Sequence, residues 1–211
     1  MPTASVPRSA QALIGTERPT LAQVRQLRRI ATQDTEERGR LLALHQDGLP
    51  GVKDKTRQAI LALALGRFAD AEELIDPKDA YGQALLGLVY AELGEYADAK
   101  SAFQAAAKSV PEAKAEMVRA MIAAGSLDEA EKAFSSIVDP AERDFQQGCI
   151  LEARNNVEGA IKALEGALEA APSTSKPPLR SVSCSTVLAM TTSPPNTTWC
   201  APTCGPPTSP A

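Results

Sequence analysis

Aromatic residues are scarce in this chain: they make up 4% of its 211 residues, with a single tryptophan. A large pocket for an aromatic ligand normally contains several such side chains, so the composition argues against one. Histidine is scarcer still, because His45 is the only one. A lone histidine beside leucines, with no identifiable serine or cysteine partner, is typical of packed structure, so we do not expect a catalytic role for His45.

Sequence motifs that are diagnostic of a particular chemistry are also absent. The chain has no Gly-rich phosphate loop and no Cys/His spacing typical of a metal site, so we expect neither cofactor nor metal. No run approaches the roughly 20 apolar residues of a membrane span, and Met1–Pro19 lacks the apolar core of a signal peptide. We therefore expect a cytoplasmic, non-enzymatic protein without a membrane span.

Charge is unevenly distributed along the chain. The net charge is −4 overall, but residues 51–172 contain 13 basic and 21 acidic residues, a net charge of −8. An acidic surface repels phosphate backbones, so we expect no nucleic-acid partner for this region.

The clearest pattern in the chain lies in residues 84–111, which are predicted to form two helices joined by a tight turn. Apolar residues recur at helical spacing up to Gly94, which is placed to end the first helix. The same spacing resumes after it, and Pro111 lies beyond the end of the second helix. Gly87 and Ala99 are small residues at positions where the two helices could cross closely.

This stretch resembles a tetratricopeptide repeat, a helix-turn-helix unit of 34 residues. Eight residues fall on the family's characteristic positions: Gly87, Tyr90, Gly94, Tyr96, Ala99, Phe103, Ala106 and Pro111. Gln83 stands where a tryptophan is usual. The resemblance implies an all-α fold, an α-solenoid of stacked helix-turn-helix hairpins.

The unit recurs along the chain. A small residue at the helix crossing recurs as Ala71, Ala99, Ala130 and Ala160, at intervals of 28, 31 and 30 residues. These intervals fall short of 34, and we place the missing residues in the joints between hairpins. The pattern predicts a repeat domain of about four hairpins over residues 51–172.

The regions that flank the repeats differ from them. Residues 1–18 show no period and are predicted to be a disordered lead. Residues 19–50 are predicted to form helices that pack on the solenoid at its open end, with helix starts at Thr20 and Asp34.

Three arginines of this N-terminal region, Arg25, Arg28 and Arg29, lie largely off its apolar face. They form either a solvated face or a basic docking surface for an acidic partner.

The tail, residues 173–211, differs in amino-acid composition from the rest of the chain. It holds eight prolines and three of the four cysteines, and it has no aspartate, glutamate, glutamine or isoleucine. The cysteine spacing makes a poor zinc site. A disordered Pro/Ser/Thr/Cys-rich tail is one interpretation. The alternative is a segment translated out of frame, because suitable GC-rich codons read one base earlier give a helical, repeat-like string.

In tetratricopeptide-repeat proteins the first helices of the units line a concave groove where ligands usually lie. The resemblance places these residues of the present chain in that groove: Tyr81, Leu88, Glu92, Arg119, Ile122, Phe145 and Glu152. Members that clamp a carboxylate carry several Lys and Asn residues here. This chain does not, so we do not expect it to bind a chaperone C-terminal tail.

The sequence thus predicts a non-enzymatic scaffold that binds a partner peptide or helix in the groove. The alternative is a regulatory or assembly module that serves an enzyme or a membrane complex through its repeats.

Overall fold

The computed structural model describes residues 18–47 and 54–170, and every regular element within them is helical. The α-helices are α1 Leu21–Gln33, α2 Thr35–Asp47, α3 Lys55–Leu65, α4 Phe68–Leu74, α5 Ala80–Leu93, α6 Tyr96–Ala106, α7 Ala113–Ala123, α8 Leu127–Ala133, α9 Pro140–Ala153 and α10 Val157–Ala170. A 3₁₀ turn, Phe134–Ser136, follows α8. The predictions for residues 173–211, and for 1–18 apart from Arg18, lie outside the described residues.

The predicted all-α architecture of paired helices is confirmed. Helices α3 to α10 form four consecutive hairpins, and the helices of each hairpin pack on one another. The first helices of successive hairpins, α3, α5, α7 and α9, also touch in sequence order. We call the surface made by these four helices the inner face. The domain boundaries themselves stay predictions.

The turns within the hairpins use residues in the left-handed backbone conformation. Gly94 ends α5 with a φ of 83°, and its N–H and that of Glu95 bond back to carbonyls of the last turn. Asn155 is the non-glycine counterpart between α9 and α10, with a φ of 61°. Glycine adopts this region without the steric cost that a Cβ brings, which explains the predicted helix end at Gly94.

The predicted small residues lie at the helix crossings. Ala71, Ala99 and Ala130 are fully buried, and Ala160 is nearly so. Gly87 faces the ring of Phe103, since a Cβ placed on this glycine would lie 2.6 Å from the ring carbons.

The location of the missing residues in the joints stays a prediction. The helices α4 and α8, the second helices of the first and third hairpins, end next to two of these joints and are only 7 residues long, against 11 in α6 and 14 in α10. Two of the four hairpins are therefore asymmetric.

The two N-terminal helix starts are confirmed. Thr20 and Gln23 form a reciprocal capping box, in which each side chain accepts a hydrogen bond from the other residue's N–H. Asp34 accepts hydrogen bonds from the N–H groups of Glu36 and Glu37 at 2.9 and 3.0 Å. These bonds satisfy N–H groups that would otherwise lack partners at a helix start.

Helix α1 reaches well beyond the open end of the stack. It packs on α3, and its side chains and first N–H group bond to residues of α5 and α7 and to the residue just before α7. Its apolar residues Leu21, Val24, Leu27 and Ala31 are each 1% exposed. Part of the inner face is thus covered by the chain's own first helix.

Candidate functional site

A cavity of about 80 Å³ lies on the inner face beside α1. Its walls come from the first helices of three consecutive hairpins, α5, α7 and α9, with α6 behind them and Arg25 of α1 at one side. A single water needs about 10–15 Å³ measured in this way, so the cavity has room for more than a few solvent atoms.

Most of the cavity lining is apolar. The lining residues include Leu88, Ala91, Phe103, Ala120, Ile122, Ala123 and Phe145. Leu88 and Ile122 are buried, whereas Phe145 is half-buried. Alanines at three of these positions leave space that larger side chains would fill.

A network of charged side chains forms the polar side of the cavity. Glu116 of α7 accepts hydrogen bonds from Arg25 at 3.1 Å and from Arg119 at 3.2 Å. Arg119 also pairs with Glu142 of α9, and its guanidinium carbon lies 5.9 Å from the centre of the Phe145 ring. Arg119 therefore joins two consecutive hairpins and rests on an aromatic wall.

Burial dominates the acid–base behaviour of this network. It raises the pKa of the Glu116 carboxyl above its ordinary value of 4.5, although Arg25 opposes the shift. Burial also raises the pKa of the Glu142 carboxyl, against the hydrogen bond from Gln146 and the charge of Arg25. Desolvation disfavours a charged carboxylate, and here it outweighs the nearby cations.

Two polar atoms at the cavity have no hydrogen-bond partner among the described residues. They are Oε1 of Gln146, whose side chain is wholly buried, and Nε of Arg119. Gln146 uses its Nε2 to donate to Glu142 at 2.7 Å. Buried polar groups are nearly always paired, so an unpaired acceptor and an unpaired donor are unusual here. The two residues that carry them both bond to Glu142.

Five of the seven predicted groove residues line this one cavity: Leu88, Glu92, Arg119, Ile122 and Phe145. Glu92 also pairs with Arg28 of α1. The other two, Tyr81 and Glu152, do not line it. Tyr81 lies at the start of α5, where its hydroxyl donates to the carbonyl of Pro19 at 2.6 Å. Burial and the nearby Glu112 raise the pKa of the Tyr81 phenol.

Sequence reasoning missed three polar residues of the site, Arg25, Glu116 and Gln146. A signal for Glu116 was present, because it precedes Arg119 by three residues and so shares its helix face. Gln146 follows Phe145 directly, and a buried glutamine has no sequence signature of its own. Arg25 belongs to a different region of the chain, and nothing local connects it to α7.

His45 does not line the cavity. Its Nε2 lies 3.8 Å from a carboxylate oxygen of Asp70 in α4, and its side chain is 12% exposed. Within residues 18–47 and 54–170, no group of three or more His, Cys, Asp or Glu side chains is arranged to hold a metal ion. No helix in that part of the chain is long and apolar enough to cross a membrane.

Comparison with known proteins gives one result. Residues 90–147, which run from the end of α5 into α9, match the family model described as Tetratricopeptide repeat. No curated protein and no solved structure matches the chain significantly. The matched segment contains Glu92, Arg119, Ile122 and Phe145, which are four of the five predicted groove residues that line the cavity. Residues 90–147 thus carry a tetratricopeptide repeat, a typically non-catalytic unit that generally mediates contacts between proteins.

Proposed function

We propose that this protein is a non-enzymatic interaction scaffold that binds a partner peptide or helix at the cavity on the inner face. The observation that carries the proposal is the cavity itself, with its apolar lining drawn from three consecutive hairpins. A site built from several repeats suits an extended ligand, because each hairpin adds one more helix along the same surface.

The lining favours an apolar side chain as the anchor of the ligand. Leu88, Ile122 and Phe145 offer aliphatic and aromatic contacts around the open space. Burying an apolar side chain from water contributes about 1.5–3 kcal/mol, so a single anchor here would supply much of a modest affinity.

The polar rim favours a peptide over a purely apolar ligand. Within residues 18–47 and 54–170, Gln146 Oε1 is an unpaired acceptor and Arg119 Nε an unpaired donor. Both atoms are covered, so a small side-chain rotation would be needed to reach them. A peptide group offers the complementary pair, one N–H and one carbonyl oxygen.

Selection from a random peptide library tests this proposal. Peptides are selected on the whole chain, and their dissociation constants are then measured for the parent and for two variants. Ala91→Phe fills the cavity from α5, where Ala91 is a half-buried lining residue. Ala97→Phe is the matched control, because Ala97 is exposed on α6 and does not line the cavity.

We expect Ala91→Phe to weaken the selected peptides at least about tenfold, the factor given by 1.4 kcal/mol, and Ala97→Phe to leave them unchanged. A thermal melt of both variants verifies that they fold. Equal binding to the parent and to Ala91→Phe, or a library that yields no binder, would remove the support for a partner site here.

A further inference from the structure

We infer that the partner of the inner face is an amphipathic helix bearing arginines at the edge of its apolar side, and that α1 occupies this helix's place within the same chain. The inference rests on the proposed function, which it extends by naming the class of partner and the way that binding is controlled.

Helix α1 lies on the inner face as a bound helix would. Its apolar residues recur at Leu21, Val24, Leu27 and Ala31, and all four are buried. Helix α1 packs on α3 and bonds to α5 and α7. An amphipathic helix that lays its apolar side on several parallel helices is a recurrent mode of peptide recognition.

The start of α1 is held by two hydrogen bonds, one to α5 and one to the residue just before α7. The Leu21 N–H donates to Glu112 Oε2 at 2.8 Å, and the Tyr81 hydroxyl donates to the Pro19 carbonyl at 2.6 Å. Glu112 satisfies an N–H group of the first turn, which has no partner inside the helix. The residue just before α7 thus supplies a carboxylate placed to cap an incoming helix.

Two arginines tie the length of α1 to acidic residues of the inner face. Arg25 pairs with the buried Glu116 at 3.1 Å, and Arg28 pairs with Glu92. The Arg28 guanidinium carbon also lies 4.9 Å from the centre of the Phe68 ring. The sequence left open whether these arginines face solvent or an acidic partner, and for Arg25 and Arg28 that partner is the chain's own inner face.

The third arginine, Arg29, behaves differently. It is exposed, and it forms no ion pair within the described part of the chain. The inner face therefore recognises arginines only at two helical positions, four and seven residues after the leading leucine. This defines a pattern, Leu-x-x-Val-Arg-x-Leu-Arg, that a partner helix would share.

The cavity adjoins the surface that α1 covers. Arg25 lines the cavity, and Glu92 and Glu116, which hold α1, line it as well. A partner helix that engages these two carboxylates must therefore displace the arginines of α1. Partner binding and α1 docking are mutually exclusive at these residues.

A labelled peptide spanning residues 18–34 tests the exchange on the whole chain. The parent is compared with Arg25→Glu/Arg28→Glu, whose α1 is repelled by Glu92 and Glu116, and with Arg29→Glu as the matched control. Because reversed charges weaken α1 docking, we expect the double variant to bind the peptide at least tenfold more tightly than the parent. Arg29→Glu should behave as the parent does.

Amide hydrogen exchange on the unaltered protein gives a second test that does not depend on the variants folding. The chain is ¹⁵N-labelled and the peptide is not, so only the chain's own α1 is observed. Excess peptide should speed exchange of the α1 amides severalfold and leave those of α6 unchanged.

The inference is overturned if the double variant, shown to be folded by circular dichroism, binds the peptide no more tightly than the parent. Should the variant not fold, unchanged exchange in α1 with peptide in excess overturns it. Library peptides that bind the cavity without changing α1 exchange would sink this inference alone. Failure of both peptide sets would sink the proposed function as well.

Discussion

Gly87 fixes how closely α5 and α6 approach. A Cβ at this position would lie 2.6 Å from the Phe103 ring, which is closer than such atoms pack in proteins. The same arrangement recurs in the last hairpin, where a Cβ on Gly148 would lie 2.8 Å from Leu164. In both hairpins, a large side chain of the second helix packs against a glycine of the first helix.

Gly87→Ala should therefore destabilise the protein even though alanine is the better helix former. Overpacking costs about 1–3 kcal/mol and outweighs the gain of about 1 kcal/mol in helix propensity. Gly39→Ala is the matched control, since a Cβ at this helical glycine of α2 meets no atom of the described residues within 4 Å. Urea unfolding should show a loss for Gly87→Ala and a gain for Gly39→Ala. A gain at both positions would contradict the close crossing.

Glu116 gives the stability of the protein a defined dependence on pH. Burial raises its pKa above 4.5, so the folded chain binds this proton more tightly than the unfolded chain does. Its contribution to the free energy of unfolding therefore falls as the pH rises from about 4.5 through the folded-state pKa. Glu142, whose pKa is also raised by burial, acts in the same direction.

Glu116→Gln isolates this effect because glutamine does not titrate. We expect the free energy of unfolding of the parent, relative to the variant, to fall as the pH rises above about 4.5. Urea unfolding at several pH values measures it. Glu129→Gln, at an exposed carboxylate that pairs with Lys100, is the control. A relative stability that is constant or rises with pH would contradict the raised pKa.

At the scale of the helix, the turns inside the hairpins depend on the left-handed conformation. Gly94→Ala forces a Cβ into this conformation at a φ of 83° and should cost about 1 kcal/mol. Asn155→Gly should instead stabilise by a few tenths of a kcal/mol, because asparagine tolerates a φ of 61° less well than glycine does. Thermal melts of the two variants measure the opposite shifts. Equal shifts in the same direction would mean that the turns are not conformationally constrained.

The helices and their ends could be predicted because their causes are local. Gly94, the Thr20–Gln23 capping box and the buried alanine at 99 each act through residues in the same hairpin or turn. The position of α1 could not be predicted, because its partners are distant in sequence. Arg28 pairs with a residue 64 positions away and Arg25 with one 91 positions away.

The residues of the candidate site also fall into two groups, those that could be predicted from the sequence and those that could not. Leu88, Arg119 and Phe145 were predicted because the repeat pattern assigns them to the inner face. Tyr81 was predicted on the same basis, but it does not line the cavity, and its hydroxyl donates a hydrogen bond to the Pro19 carbonyl. Gln146 was missed because its burial depends on how α9 packs, which the repeat period does not specify.

For the whole molecule, stability should vary along the stack. Helix α6 packs on both α5 and α7, whereas the main packing of α10, within the described residues, is on α9. Val157 and Ile161 of α10 are more than half exposed. In a stacked array each unit is stabilised by its neighbours, so a helix with one neighbour opens more readily.

We therefore expect the amides of α10 to exchange at least tenfold faster than those of α6. Hydrogen exchange followed by mass spectrometry on the whole chain measures both helices in one experiment, with α5 as the internal reference. Equal protection in α6 and α10 would show that the array opens only as a unit.

The contact between Arg25 and Glu116 joins residues 91 positions apart, whereas the crossing alanines of adjacent hairpins are 28 to 31 residues apart. Folding of a stacked array is fast because its contacts are short-range, and closing a long loop carries an entropic cost that must be met before the contact forms. The contacts of α1 with α7 therefore form later than its packing on α3, whose residues lie closer in sequence. During synthesis α1 cannot complete its contacts with the inner face until α7 has left the ribosome.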